Sequence, residues 1–280
     1  MTLATLAEVL QPALKGGYAV AGLVVLGWED ARAFLAAAEA ENAPIILQAG
    51  PGCRAHTPLP VLAAMFRTLA EGSGVPIVAH LDHGYELDEC RRAIECGFTS
   101  VMFDGSRKPI DQNIAETARV AELAHAAGVS VEGEIGLVGY DQGAASARTH
   151  PDAAARFEKE TGIDALAISV GNVHLQQKQV AQIDIAALAA IEAVTKSPLV
   201  IHGGSGIAGD ARSRLARSTK ICKFNIGTEL RMVFGQALRA AVNADAHRFD
   251  RLAILKETEA PVCEAVRGII RELRTPIRGA

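Results

Sequence analysis

Three histidines in this sequence each follow an apolar, β-branched run. His83 closes Val75–Gly84 (VPIVAHLDHG), His202 closes Leu199–His202, and His174 follows Ala165–Val170 through Gly171-Asn172-Val173. Three neutral imidazoles with an open fourth position make a catalytic rather than a structural zinc site. The same donor set suits Co²⁺ or Mn²⁺. Asp82 precedes His83, and Gly84 turns the chain. Neighbours on an ideal strand point to opposite faces, so both reach one site only if the strand ends near Asp82. Asp82 then either orients a ligand imidazole or moves protons as a general acid and base; both readings stand on the residues alone.

Other carboxylates sit at strand ends as well. Glu132 and Glu134 share a face by period two, and Asp104 precedes Gly105-Ser106. Asp104 and Glu134 read as alternative ligands, as partners of a ligand, or as halves of ion pairs. His56, His125, His150 and His247 lie in or beside helices and loops and read as surface or packing residues. Two loops suit an anion. Gly203-Gly204-Ser205-Gly206 precedes a helix, whose free amides and dipole favour negative charge, and Gly227-Thr228 opens another. Lys178 and Lys223 are candidates for added positive charge there.

The elements that must position these groups alternate. Strands are expected at Tyr18–Val25, Ala43–Gln48, Val75–Gly84, Thr99–Phe103, Val129–Glu134, Asp164–Val170, Pro198–His202 and Ile221–Ile226. Helices are expected at Leu3–Leu14, Glu29–Glu41, Thr57–Glu71, Glu86–Cys96, Ile110–Ala127, Pro151–Thr161, Ile183–Val194, Ile207–Ser218 and Glu229–Ala244, with Thr228 as cap to the last of these. Arg251–Leu273 adds a terminal helix, to pack beneath the barrel or against another subunit. Ala49-Gly50-Pro51-Gly52 reads as a break where no helix continues. Gly136–His150 is a long loop suited to a lid. Eight strands alternating with helices describe a (β/α)₈ TIM barrel with extra terminal helices, one domain over 1–280. A doubly wound open sheet is disfavoured, because no GxGxxG follows the first strand.

The totals agree. The 280 residues are 49% hydrophobic but only 4% aromatic, so Ala, Val, Ile and Leu carry the core, as in helices packed on a parallel sheet. A net charge of −4 and pI near 6.1 provide no field for nucleic acid. Five scattered cysteines without a CxxC pair read as reduced thiols in a cytoplasmic protein. Glu8 interrupts any signal-peptide pattern, and the longest apolar stretch, Tyr18–Trp28, falls short of the ~20 residues needed to span a bilayer.

AHLDHG (79–84), AIECGFTSVMFDGS (93–106), AHAAGVSVEGEIG (124–136), IHGGSG (201–206) and KFNIGTEL (223–230) together make the chain resemble the class II, zinc-dependent ketose-bisphosphate aldolases, the fructose- and tagatose-bisphosphate aldolase family. The resemblance covers nearly the whole chain. It implies that His83, His174 and His202 hold Zn²⁺, which stabilises the enediolate left when the C3–C4 bond of a phosphorylated ketose breaks. It implies that Asp82 shuttles the C4-hydroxyl proton, that Asp104 and Glu134 stand near the metal, and that Asn225 contacts substrate. Gly203, Gly204, Ser205, Gly227 and Thr228 then cradle phosphate, with Lys178 a further candidate. The products are dihydroxyacetone phosphate and an aldehyde, and the oligomer a homodimer or homotetramer.

Three departures from the family pattern bear on substrate. The family's His-Gly-x-Tyr-Lys is His174-Leu175-Gln176-Gln177-Lys178 here, which removes a glycine where a monovalent cation and the phosphate are approached. The first-strand Phe-Asn-Val is Leu23-Val24-Val25, without the asparagine. The lid, which carries an acid/base glutamate in the family, reads VGYDQGAAS, and Asp141 is not given that role. Two rivals remain at this point: a Schiff-base aldolase using Lys223 or Lys178, and a non-catalytic barrel partnering an active aldolase.

Overall fold

The structure, a computed structural model, describes residues 3–274. The first two and last six residues of the expected 1–280 unit lie outside them. The chain runs α1 (Leu6–Gly16), β1 (Val20–Val24), α2 (Trp28–Ala40), β2 (Ile45–Ala49), α3 (Pro51–His56), α4 (Leu59–Glu71), β3 (Ile77–Gly84), α5 (Leu87–Cys96), β4 (Ser100–Phe103) and α6 (Ile110–Ala126). It continues β5 (Ser130–Ile135), α7 (Pro151–Thr161), β6 (Ala165–Ile168), α8 (Ile185–Val194), β7 (Leu199–Ile201), α9 (Gly209–Ser218), β8 (Ile221–Ile226), α10 (Thr228–Asn243) and α11 (Arg251–Arg274). Each strand pairs in parallel with its sequence neighbours and β8 closes on β1, giving the (β/α)₈ barrel. Glycines in the left-handed region stop α1, α5 and α7 at Gly17, Gly97 and Gly162.

Several expectations differ. The Gly-Pro-Gly stretch does not exclude a helix: Pro51 occupies the first turn of α3, where a missing N–H is harmless and a fixed φ favourable. Thr228 does not cap α10; Gly227 takes that position and Thr228 is the first helical residue. The segment read as a lid is closed at its base, where Leu137 and Ala147 exchange backbone bonds at 2.8 and 2.9 Å. The terminal helix α11 lies along the barrel's flank against α2, α9 and α10, with Glu41 holding Arg267 at 2.8 Å and Arg271 at 2.7 Å. No helix of the described residues is long and apolar enough to cross a membrane.

The barrel interior is layered, because side chains two apart on a strand share a face. At the bottom Val20, Ile46, Val78 and Val200 pack on Leu6, Val9, Leu10 and Ala13 of α1, which plugs that end. The capping box of Thr5 and Glu8 secures the start of α1. Above this plug stand Gln48, His80, Glu132 and Lys223, all buried. Each lies two residues before a group at the mouth: Gly50, Asp82, Glu134 and Asn225.

Candidate active site

At the end of β3, regular alternation would turn His83 away from the mouth. The pairing with β4 slips between Leu81 and Gly84, and His83 adopts φ +53°. That backbone is uncommon for a side chain with a Cβ, and a strain of order 1–3 kcal/mol persists only where surroundings enforce it. Arg54, from α3, supplies the enforcement. Its guanidinium donates to the carbonyls of Ala49 (2.5 Å), Asp82 (2.6 Å) and His83 (2.9 Å), and its Nε to Glu89 (2.8 Å). Gly84 is required at the turn, since a Cβ there would lie 2.8 Å from the Met102 carbonyl oxygen.

The three strand-end histidines meet. Among the described residues, donor atoms of His83, His174 and His202 lie within 4.8 Å of one another, and so do those of His83, Asp104 and Glu134. His83 Nε2 faces His202 Nδ1 at 3.0 Å. The remaining nitrogen of each ring is taken by a carboxylate: His83 Nδ1 by Asp104 at 2.8 Å and His202 Nε2 by Glu132 at 3.0 Å. Two ring nitrogens so opposed, each backed by a carboxylate, are arranged to share a cation. Glu134 Oε2 is buried without a hydrogen-bond partner and lies 3.8 Å from His83 Nδ1 and 3.9 Å from His202 Nδ1. This donor set fits a divalent ion.

The electrostatics distinguish the three rings. Burial, with the neighbouring His83 charge, holds His202 well below the usual imidazole range and His174 down to about 4. Both are therefore neutral donors at pH 7. Burial also opposes a charge on His83, but Asp82, Asp104 and Glu134 outweigh it and raise that ring to about 9. Burial and repulsion from Asp104 push Glu134 up to about 8. Asp104 is buried too, yet its bonds to His83 and Ser106 keep it below the usual carboxylate range.

Asp82 and Asn225 complete the mouth, Asn225 Nδ2 donating to Asp82 Oδ1 at 3.2 Å. They line a cavity of about 250 Å³ with His83, His174, Gly203, Ser205, Gly227 and Thr228. Ser205 does more than face the cavity: its Oγ accepts from the Gly227 and Glu229 amides at 3.2 and 3.3 Å. It thus ties the loop after β7 to the start of α10. Gly204 is buried and packs on Phe224 and the Asn225 carbonyl without lining the cavity. Lys178 is exposed and does not line it. Lys223 is buried beneath it, paired with Glu132 at 2.6 Å and 3.3 Å from His80 Nε2. A Schiff base on either lysine is thereby disfavoured, since neither faces the cavity.

The cation at the wall is Arg231, which no motif in the sequence singles out. It lies three residues after Thr228 in the first turn of α10, and that spacing puts both on one helical face. Tyr85 and Tyr140 line the cavity equally unannounced by any motif. Tyr140 stacks on His174 with ring centroids 5.0 Å apart, while Gly139 and Asp141 bond the His174 backbone at 2.8 and 3.1 Å. Asp141 does not line the cavity. Leu175 stands at φ +60°. It keeps the left-handed backbone a glycine would adopt, with its side chain half exposed at the cavity rim.

Residues 4–276 match the family described as "Fructose-bisphosphate aldolase class-II". A fructose-bisphosphate aldolase of Geobacillus stearothermophilus is 36% identical over 279 residues, covering 97% of each chain. A 6-phospho-5-dehydro-2-deoxy-D-gluconate aldolase of Shouchella clausii is 37% identical over 275 residues, covering 95% of this chain and 93% of that one. Among solved structures, the YdjI aldolase of Escherichia coli K12 superimposes with TM-score 0.83 at 30% identity, covering 98% of both chains.

Proposed function

The chain belongs to the class-II fructose-bisphosphate aldolase family, and from that premise we propose that this carbon–carbon lyase is zinc-dependent. It reversibly cleaves a phosphorylated ketose, a ketose 1,6-bisphosphate or a relative, into dihydroxyacetone phosphate and an aldehyde. The observation that carries the reading is the convergence of His83, His174 and His202 beside Asp82 and Asn225. The whole chain, 1–280, acts as one barrel unit, placed in the cytoplasm as a homodimer or homotetramer.

His83, His174 and His202 are the residues that would hold Zn²⁺, with Asp104 and Glu134 as alternative ligands and Co²⁺ or Mn²⁺ as substitutes. A divalent ion there supplies a Lewis acid for the ketose carbonyl and hydroxyl oxygens and for the electron pair released on cleavage. Asp82 takes the C4-hydroxyl proton as the C3–C4 bond breaks and returns it in condensation. Asn225 holds that carboxylate and faces the same substrate oxygens. Gly203, Ser205, Gly227 and Thr228 receive the phosphate, with Arg231 rather than Lys178 supplying the positive charge. Val24, which lines the cavity beside Gly227, offers no side-chain hydrogen-bonding group there.

Two relatives of nearly equal identity carry names of different phosphorylated substrates, so likeness alone does not select one. The test is metal analysis of the purified protein combined with aldol condensation of dihydroxyacetone phosphate against a panel of aldehydes. Product formation with one metal per subunit supports the reading. A metal-free protein inert toward the whole panel favours the non-catalytic barrel instead.

A further inference from the structure

Gln48 on β2 is fully buried, yet neither Oε1 nor Nε2 has a hydrogen-bond partner among the described residues. Asn225 Oδ1, on β8, is buried and unpartnered as well. Burying amide groups without partners is unfavourable, and these lie together. Between them on β1 is Gly22, paired in register with Asn225. A Cβ on Gly22 would stand 2.2 Å from Gln48 Oε1 and 3.0 Å from Asn225 Oδ1. The glycine is a notch that lets the Gln48 carboxamide reach across β1 toward Asn225.

We propose that Gln48 is a positioning residue, its amide nitrogen donating to Asn225 Oδ1, directly or through one bridging water. A half-turn of the Gln48 carboxamide puts Nε2 where Oε1 stands, facing that oxygen. The oxygen and nitrogen of the Asn225 amide diverge from one carbon in a fixed plane, so holding Oδ1 also holds Nδ2, which donates to Asp82 Oδ1 at 3.2 Å. Gln48 itself does not line the cavity and acts only through Asn225. The catalytic consequence rests on the reading of Asp82 as the proton carrier.

The test is a double-mutant cycle in the metal-loaded full-length enzyme. Gln48→Met keeps side-chain length and removes the donor. It is expected to lower kcat about tenfold, the worth of one hydrogen bond, with KM and metal stoichiometry unchanged. In an Asn225→Ala background the same substitution should have no further effect. Equal losses in both backgrounds, or none in either, overturn the proposal. A high-resolution crystal structure of the wild-type protein decides independently of turnover. Gln48 Nε2 bonded to Asn225 Oδ1, directly or across one water, supports the link, and any wider separation overturns it. A wild type that cleaves no phosphorylated ketose removes the functional reading, while the crystal structure still decides whether the two amides are bonded.

Discussion

Glu132 Oε1 lies 3.0 Å from His202 Nε2, while its other oxygen holds Lys223 Nζ at 2.6 Å. One buried carboxylate therefore fixes the ring orientation of His202, a proposed metal ligand, and neutralises a buried lysine. Glu132→Gln is expected to weaken zinc binding about 10- to 100-fold, the usual effect of removing a ligand's carboxylate partner. It also strands the Lys223 charge, at about 3–5 kcal/mol of stability. The double variant Glu132→Gln/Lys223→Met should regain much of that stability while zinc binding stays weak. Chelator competition and urea unfolding read the two effects separately. Unweakened zinc binding in the double variant would disprove the orienting role.

Asp82→Ala should keep its metal and lose cleavage by about 10²-fold or more, the scale of general acid–base catalysis. Unchanged turnover would remove Asp82 from proton transfer. His202→Ala, by contrast, should lower the metal content itself, and elemental analysis showing full stoichiometry would take His202 out of the ligand set.

Chelation should abolish turnover, and zinc, cobalt or manganese should restore it. Borohydride in the presence of substrate should leave no adduct on the protein, because Lys223 lies beneath the cavity in an ion pair and Lys178 lies outside it. An adduct on either lysine, seen by peptide mass spectrometry, would revive the Schiff-base mechanism.

Arg54→Met should reduce stability by about 3 kcal/mol, since it leaves the Ala49, Asp82 and His83 carbonyls and Glu89 without their charged donor. It should also reduce kcat, because the strained turn that turns His83 into the site loses its clamp. Stability loss with unaltered kcat would show that the turn holds without it.

All eight strands are legible in the sequence, and β8 and α7 to the residue, because both are bounded by unambiguous stops such as Gly162 and Gly227. The histidine set is legible because His83 and His202 close apolar runs and His174 follows one after a short loop. What escapes the sequence depends on meetings between distant residues. Glu132 and Lys223 are ninety-one positions apart, and no local pattern pairs them. The φ of His83 follows from a register slip against β4, which the alternation of β3 alone does not encode. Helix α3 is hidden by a Pro-Gly pair that usually marks a turn, and Arg54 is hidden with it. Lys178 draws attention because it stands beside a family motif, whereas helical spacing from Thr228 is the better guide and leads to Arg231.

The strap from residue 139 to residue 141 grips the main chain of His174 and lays the Tyr140 ring against its imidazole. Access to the cavity and the placement of the His174 ring are therefore one mechanical variable. Under the proposed zinc chemistry, slackening the strap at Tyr140 would widen the cavity and loosen the ring that would hold the ion in the same movement, so a broader substrate range would come only with a weaker grip on metal.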